Sequence, residues 1–113
     1  MELWTTEPQT KNLSLTTRVK ETLFTGQSAF QEIGVFDTWE FGRMLVLDNV
    51  FQTSIFDEYI YHEMIAHVPL FTHPNPRQVL VIGGGDGGSV RETVRHEKVA
   101  AVEMVEIDGM VVE

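Results

Sequence analysis

The sequence has no cysteine, few basic residues and no long apolar run. Without cysteine there is neither a disulfide framework nor a thiolate metal site. No stretch approaches the roughly 18 to 20 apolar residues that cross a bilayer, and the first residues lack the basic-then-apolar order of a secretory leader. A cytoplasmic protein without membrane contact is expected. Only 8 Lys and Arg stand against 17 Asp and Glu, a formal net charge of −9. That balance repels nucleic acid and anionic lipid and suits a cationic small molecule, although acidity for solubility would give the same balance. No Ser sits in a nucleophile setting, so covalent catalysis has no candidate.

What is present changes texture along the chain. Residues 13–54 hold short Thr-, Val-, Phe- and Leu-rich stretches broken by Thr25-Gly26, Gly34, Glu40-Phe41-Gly42 and Asp48-Asn49. This predicts a β-meander of four to six strands. Phe24, Phe30, Phe36, Phe41 and Phe51 are its expected core. From Asp57 the pattern becomes helical, with Ile60, Met64, Ile65 and Val68 on one spacing, and a helix over residues 57–67 is predicted. Pro69, Pro74 and Pro76 argue that residues 70–77 form a loop. The expected division is a β-rich domain over residues 1–54 and an α/β domain beginning at 55 and running to 113.

Gln78-Val79-Leu80-Val81-Ile82 reads as a buried parallel strand, residues 89–96 as a helix and residues 99–107 as a second strand, which together make a βαβ unit. Between the first strand and the helix lies Gly83-Gly84-Gly85-Asp86-Gly87-Gly88, with G-x-G-x-x-G at Gly83, Gly85 and Gly88. In that context the motif predicts the nucleotide-binding opening of a Rossmann-like fold. Glu106 follows Gly83 by 23 residues, close to the roughly 20 at which an acid meets ribose hydroxyls. The plainer alternative is a tight turn and a solvated strand end. Ser89, not Lys, follows the last glycine, which disfavours a phosphate-binding loop. Asp86 would repel a pyrophosphate, so it points to a neutral or cationic ligand such as a sulfonium nucleoside; alternatively it caps the next helix.

His62 and His67 are five apart, one more than the zinc-protease pattern allows, which puts them roughly 140° apart on a helix. No metal site is expected, and His73 and His96 are read as isolated. Gln52, Asp57, Glu58, Tyr61 and His62 could line a cleft or serve as ordinary caps and surface groups.

Several stretches together resemble the N-terminal portion of the spermidine synthases, the polyamine aminopropyltransferases. They are Phe30-Gln31-Glu32-Ile33, Leu45-Val46-Leu47-Asp48, Val50-Phe51-Gln52-Thr53, the run from Asp57-Glu58 through Tyr61-His62-Glu63-Met64, His73-Pro74-Asn75-Pro76, and the glycine loop with Glu106-Ile107-Asp108. The resemblance implies a small β-domain joined to a methyltransferase-type Rossmann-like domain. It implies aminopropyl transfer from decarboxylated S-adenosylmethionine to putrescine, giving spermidine and methylthioadenosine, with no further cofactor and in a homo-oligomer, a dimer or tetramer. By the same resemblance Gln31, Gln52, Gly83 and Gly85 belong to the nucleoside site, Asp86 holds the aminopropyl ammonium, Glu106 binds the ribose, and Tyr61 and His62 line the amine site. Family members run to well over twice this length, and their general base lies in the part that would follow Glu113. The 113 residues alone are therefore expected to be inactive. A noncatalytic oligomerisation module, or a related transferase with another acceptor, is the alternative.

Overall fold

A computed structural model describes residues 1–113, which divide into two compact units, Met1–Asp57 and Glu58–Glu113. The first is one antiparallel sheet of five strands, each paired with its neighbours in sequence: β1 (Leu3–Thr10), β2 (Leu13–Gln27), β3 (Glu32–Thr38), β4 (Gly42–Leu47) and β5 (Val50–Ser54). This is the predicted meander, with β1 added ahead of the stretch in which the sequence pattern is legible. The 15-residue β2 bends through two register irregularities, between Val19 and Glu21 and between Thr22 and Phe24. The turn from β4 to β5 is two residues long, and both Asp48 (φ 48°) and Asn49 (φ 62°) adopt the left-handed conformation that matches the twist of a hairpin. Asp48 also accepts a hydrogen bond at Oδ1 from the Glu32 N–H (2.8 Å), tying the turn to the start of β3.

The core of this sheet is aliphatic. Val19, Ile33, Met44 and Val46 are buried, whereas Phe24 and Phe30 are exposed and Phe36, Phe41 and Phe51 are only partly covered. The expectation of a phenylalanine core is thus corrected. A single open sheet buries what its centre strands place on the inner face, and rings at its ends and turns stay in solvent. Phe36 has a local task instead: its ring lies back over Gly34, where a Cβ would come within 2.6 Å of it.

The second unit runs α1 (Glu58–Thr72), β6 (Gln78–Ile82), α2 (Gly88–Thr93), β7 (Ala101–Val105) and α3 (Gly109–Val112). Strands β6 and β7 pair in parallel, Gln78 opposite Ala101 through Ile82 opposite Val105, as the βαβ reading requires. The strand is not buried as expected, because two strands cannot cover their own faces: Ile82 is 83% exposed. Helix α1 passes through Pro69 and ends at Thr72, beyond its predicted end. Proline so near the C-terminus forfeits only the bond that its own N–H would give Ile65, while the His73 N–H still reaches the Pro69 carbonyl (2.9 Å) and the Thr72 hydroxyl the Val68 carbonyl (2.7 Å). The predicted apolar stripe Ile60, Met64, Ile65 and Val68 is exposed; α1 buries His62 and Ala66 instead, one turn apart, on the side that meets α2. Helix α2 is shorter than predicted and closes with the Val94 N–H on the Val90 carbonyl. No helix is long and apolar enough to cross a membrane.

Candidate functional site

The glycine loop leaves the carboxyl end of β6, where an open parallel sheet presents its ligand crevice. Its entry continues the strand pairing, since the Gly83 N–H donates to the Val105 carbonyl (2.8 Å). Gly83, Gly84 and Gly87 have φ near +80°, and the Gly87 N–H closes the turn on the Gly84 carbonyl (2.9 Å). The other two glycines answer to space. A Cβ on Gly85 would lie 3.0 Å from Glu106 Oε2 and 3.1 Å from a Val111 methyl, and one on Gly88 would overlap the His62 ring. Gly88 therefore serves the close approach of α2 to α1.

Glu106 follows β7 and reaches back to the loop. Its Oε2 accepts from the Gly85 N–H (3.0 Å) and its Oε1 from the Asp108 N–H (3.1 Å), so both oxygens are oriented by backbone donors. A carboxylate held in this way retains acceptor capacity for further hydroxyl donors. Asp108 is buried and caps α3, its Oδ1 accepting from the Met110 N–H (3.1 Å).

Asp86 occupies the outer part of the loop. Its Oδ1 accepts from the Gly88 N–H (2.9 Å), a local bond across Gly87, which itself holds the N-cap position of α2, and also lies 3.4 Å from His62 Nε2. The other ring nitrogen, Nδ1, is hydrogen-bonded to Glu58 Oε2. His62 is buried, 2% exposed, with the exposed Tyr61 ring edge-on at 5.2 Å. Tyr61, His62, Asp86, the loop and Glu106 all belong to the second unit. Gln31 and Gln52 belong to the first. Gln31 follows the Ser28 turn, where its N–H donates to the Ser28 hydroxyl (3.1 Å), and Gln52 lies on β5 with its amide 3.4 Å from the Val50 carbonyl.

A second polar cluster sits along the seam of α1 and α2, and sequence spacing did not disclose it. Glu92, 3% exposed, accepts at Oε1 from Arg91 Nε (2.9 Å) and at Oε2 from Arg95 Nη1 (2.7 Å), with His67 Nε2 at 3.1 Å. The guanidinium of Arg91 beside it holds the Glu92 carboxyl down at about 2, helped by Arg95 and His67 against the cost of burial. Arg91 also reaches Glu58 (Nη2 to Oε2, 2.9 Å); that bond, ahead of His62, holds the Glu58 carboxyl below its ordinary range. His96, expected to be isolated, is bonded to His67 (Nε2 to Nδ1, 2.7 Å), and its ring lies tilted at 59° to the Phe71 ring with the centroids 4.7 Å apart. The only sequence signal for this cluster was the run Arg91-Glu92-x-x-Arg95; its partners lie about thirty positions away on α1.

An antiparallel meander followed by a helix and a parallel pair with a glycine loop defines the start of a methyltransferase-like α/β protein. Residues 58–113 match the spermine/spermidine synthase domain and residues 3–54 the spermidine synthase tetramerisation domain. Polyamine aminopropyltransferase of Methanocaldococcus jannaschii is 58% identical over 111 residues, covering 98% of this chain and 38% of that protein. The polyamine aminopropyltransferase of Clostridium kluyveri is 54% identical over 112 residues, 99% of this chain and 41% of its own length. Among solved structures, the spermidine synthase of Thermotoga maritima superposes with a TM-score of 0.95 at 43% identity, over 97% of this chain and 39% of that one. A spermidine synthase in complex with the transition-state analogue AdoDATO gives the same TM-score and identity, over 97% of this chain and 38% of that one. The chain belongs to the spermine/spermidine synthase family, the polyamine aminopropyltransferases. It spans about two fifths of the length of the curated relatives it matches.

Proposed function

We propose that this chain forms the nucleoside-binding part of a cytoplasmic spermidine synthase that transfers an aminopropyl group from decarboxylated S-adenosylmethionine to putrescine. In that reaction a neutral amine nitrogen attacks the methylene carbon beside the sulfonium. The C–N bond forms as the C–S bond breaks, methylthioadenosine leaves as a neutral thioether, and the new secondary ammonium gives up one proton to solvent water. The protein must orient two cationic partners, which is work for carboxylates. The observation that carries the reading is the acidic loop: Glu106 held by the backbone N–H groups of Gly85 and Asp108, and Asp86 the residue next after Gly85. Glu106 is assigned the ribose hydroxyls and Asp86 the aminopropyl ammonium, with Gly83 and Gly85 allowing the ligand to approach the backbone. Gln31 and Gln52 are assigned to the nucleoside, and Tyr61 with His62 to the amine end. Asp86 would also repel the carboxylate of ordinary S-adenosylmethionine, which favours the decarboxylated donor. None of these residues is assigned the proton, and no metal or further cofactor enters. The match of residues 3–54 to a tetramerisation domain supports a homo-oligomer formed through the first unit.

Calorimetric titration with methylthioadenosine tests the reading. Binding that is lost in Glu106→Ala supports it. A chain that assembles into oligomers but binds no nucleoside would be an assembly module instead.

A further inference from the structure

Asp86 is braced from α1. Its Oδ1 takes the Gly88 N–H at 2.9 Å and faces His62 Nε2 at 3.4 Å, while its Oδ2 has no partner. His62 cannot turn away: its ring fills the space a side chain on residue 88 would need, and its Nδ1 is bonded to Glu58 Oε2. The same Glu58 oxygen receives Arg91 Nη2 from α2 at 2.9 Å. A chain of contacts thus runs from Arg91 to Glu58, to His62, to Asp86.

We infer that Glu58 is a positioning residue for Asp86: anchored by Arg91, it fixes the His62 ring so that Asp86 presents Oδ2 to the cationic end of a ligand. The inference rests on the proposed assignment of Asp86 to the aminopropyl ammonium. Arg91 has a second duty in this arrangement. By pairing with Glu58 it neutralises a carboxylate that would otherwise compete with Asp86 for the same cation. The bond from Arg91 also holds the Glu58 carboxyl ionised to low pH, so the brace keeps its charge under ordinary conditions. An exposed ion pair between two helices contributes little to stability by itself, whereas orienting a ligand-binding oxygen needs only a fixed direction.

The test compares two nucleosides on the whole chain by calorimetry. Decarboxylated S-adenosylmethionine carries the aminopropyl ammonium, and methylthioadenosine lacks it. Glu58→Gln keeps the size of the side chain and removes its charge. It is expected to weaken the aminopropyl nucleoside by roughly tenfold, the scale of one charge-assisted contact, and methylthioadenosine by less than about twofold. Arg91→Gln, on the exposed side of the pair, is expected to show the same selective loss and covers the case in which Glu58→Gln folds poorly. Asp86→Asn is also selective, and adding Glu58→Gln to it costs nothing more, because both act on one oxygen. Equal losses for both nucleosides would reduce Glu58 to a structural contact, and no loss would remove it from the site; either overturns the inference. If Asp86→Asn discriminates and neither Glu58→Gln nor Arg91→Gln does, the inference fails and the functional reading stands. If the unsubstituted chain binds neither nucleoside, the functional reading falls and takes the inference with it.

Discussion

Glu92 is buried, yet Arg91, Arg95 and His67 converge on its two oxygens. Its carboxyl titrates at about 2 in the folded chain against an ordinary 4.5. The folded value is the lower one, so its contribution to stability is complete above pH 4.5 and is lost as the pH falls from there towards 2. Glu58, also held down by Arg91, acts in the same direction. Urea midpoints are therefore expected to fall steeply across that window, and Glu92→Gln should lower the midpoint at neutral pH while flattening the acid slope. An unchanged slope would remove Glu92 as its cause. At this scale the sequence disclosed what lies in the loop and little of what crosses to it. Asp86 is legible because a carboxylate inside a glycine motif is chemically out of place for a phosphate ligand. In the structure the cap position of α2 falls to Gly87, and the bond from the Gly88 N–H to Asp86 uses Oδ1 alone. Glu58, Arg91 and Glu92 look like ordinary surface charges until two helices bring them together.

The hairpin from β4 to β5 carries a prediction of its own. Asn49 sits at φ 62° in the second position of a two-residue turn, where glycine is free of the Cβ penalty. Asn49→Gly is expected to raise stability by about 0.5 to 1 kcal/mol, measured by chemical denaturation, and a loss would show that the Asn side chain has a role there. The sequence located this turn from Asp48-Asn49, and it located the β-meander, α1 and the parallel pair, because each has a local period or a local breaker. It misjudged faces and ends. Phenylalanine is a good core residue on average, but a one-layer sheet with the bent β2 buries Ile33 and Val46 ahead of Phe24 and Phe30. Proline ends most helices, but Pro69 comes late enough in α1 that a single missing bond is tolerated.

At the scale of the whole molecule the net charge of −9 is a statement about encounter. A dication is drawn to such a surface and a neutral nucleoside is not. Raising the salt from roughly 0.05 M to roughly 0.5 M shortens the screening length severalfold, so affinity for decarboxylated S-adenosylmethionine should fall several times more than affinity for methylthioadenosine. Parallel titrations at the two salt concentrations check this; equal salt dependence would leave the acidity as a solubility feature only.

The sequence by itself determined the order of elements from the meander to β7, the glycine loop with its acid, and the family, because each is written in contiguous residues or in short spacings that local sterics and hydrogen bonding interpret. Tertiary structure decided which groups meet. The burial of His62 against Gly88, the anchoring of Glu106 on the Gly85 N–H and the bond from Arg91 to Glu58 join residues 21 to 33 positions apart. No periodicity encodes such pairings; they arise only once α1 and α2 pack side by side and β7 returns beside β6.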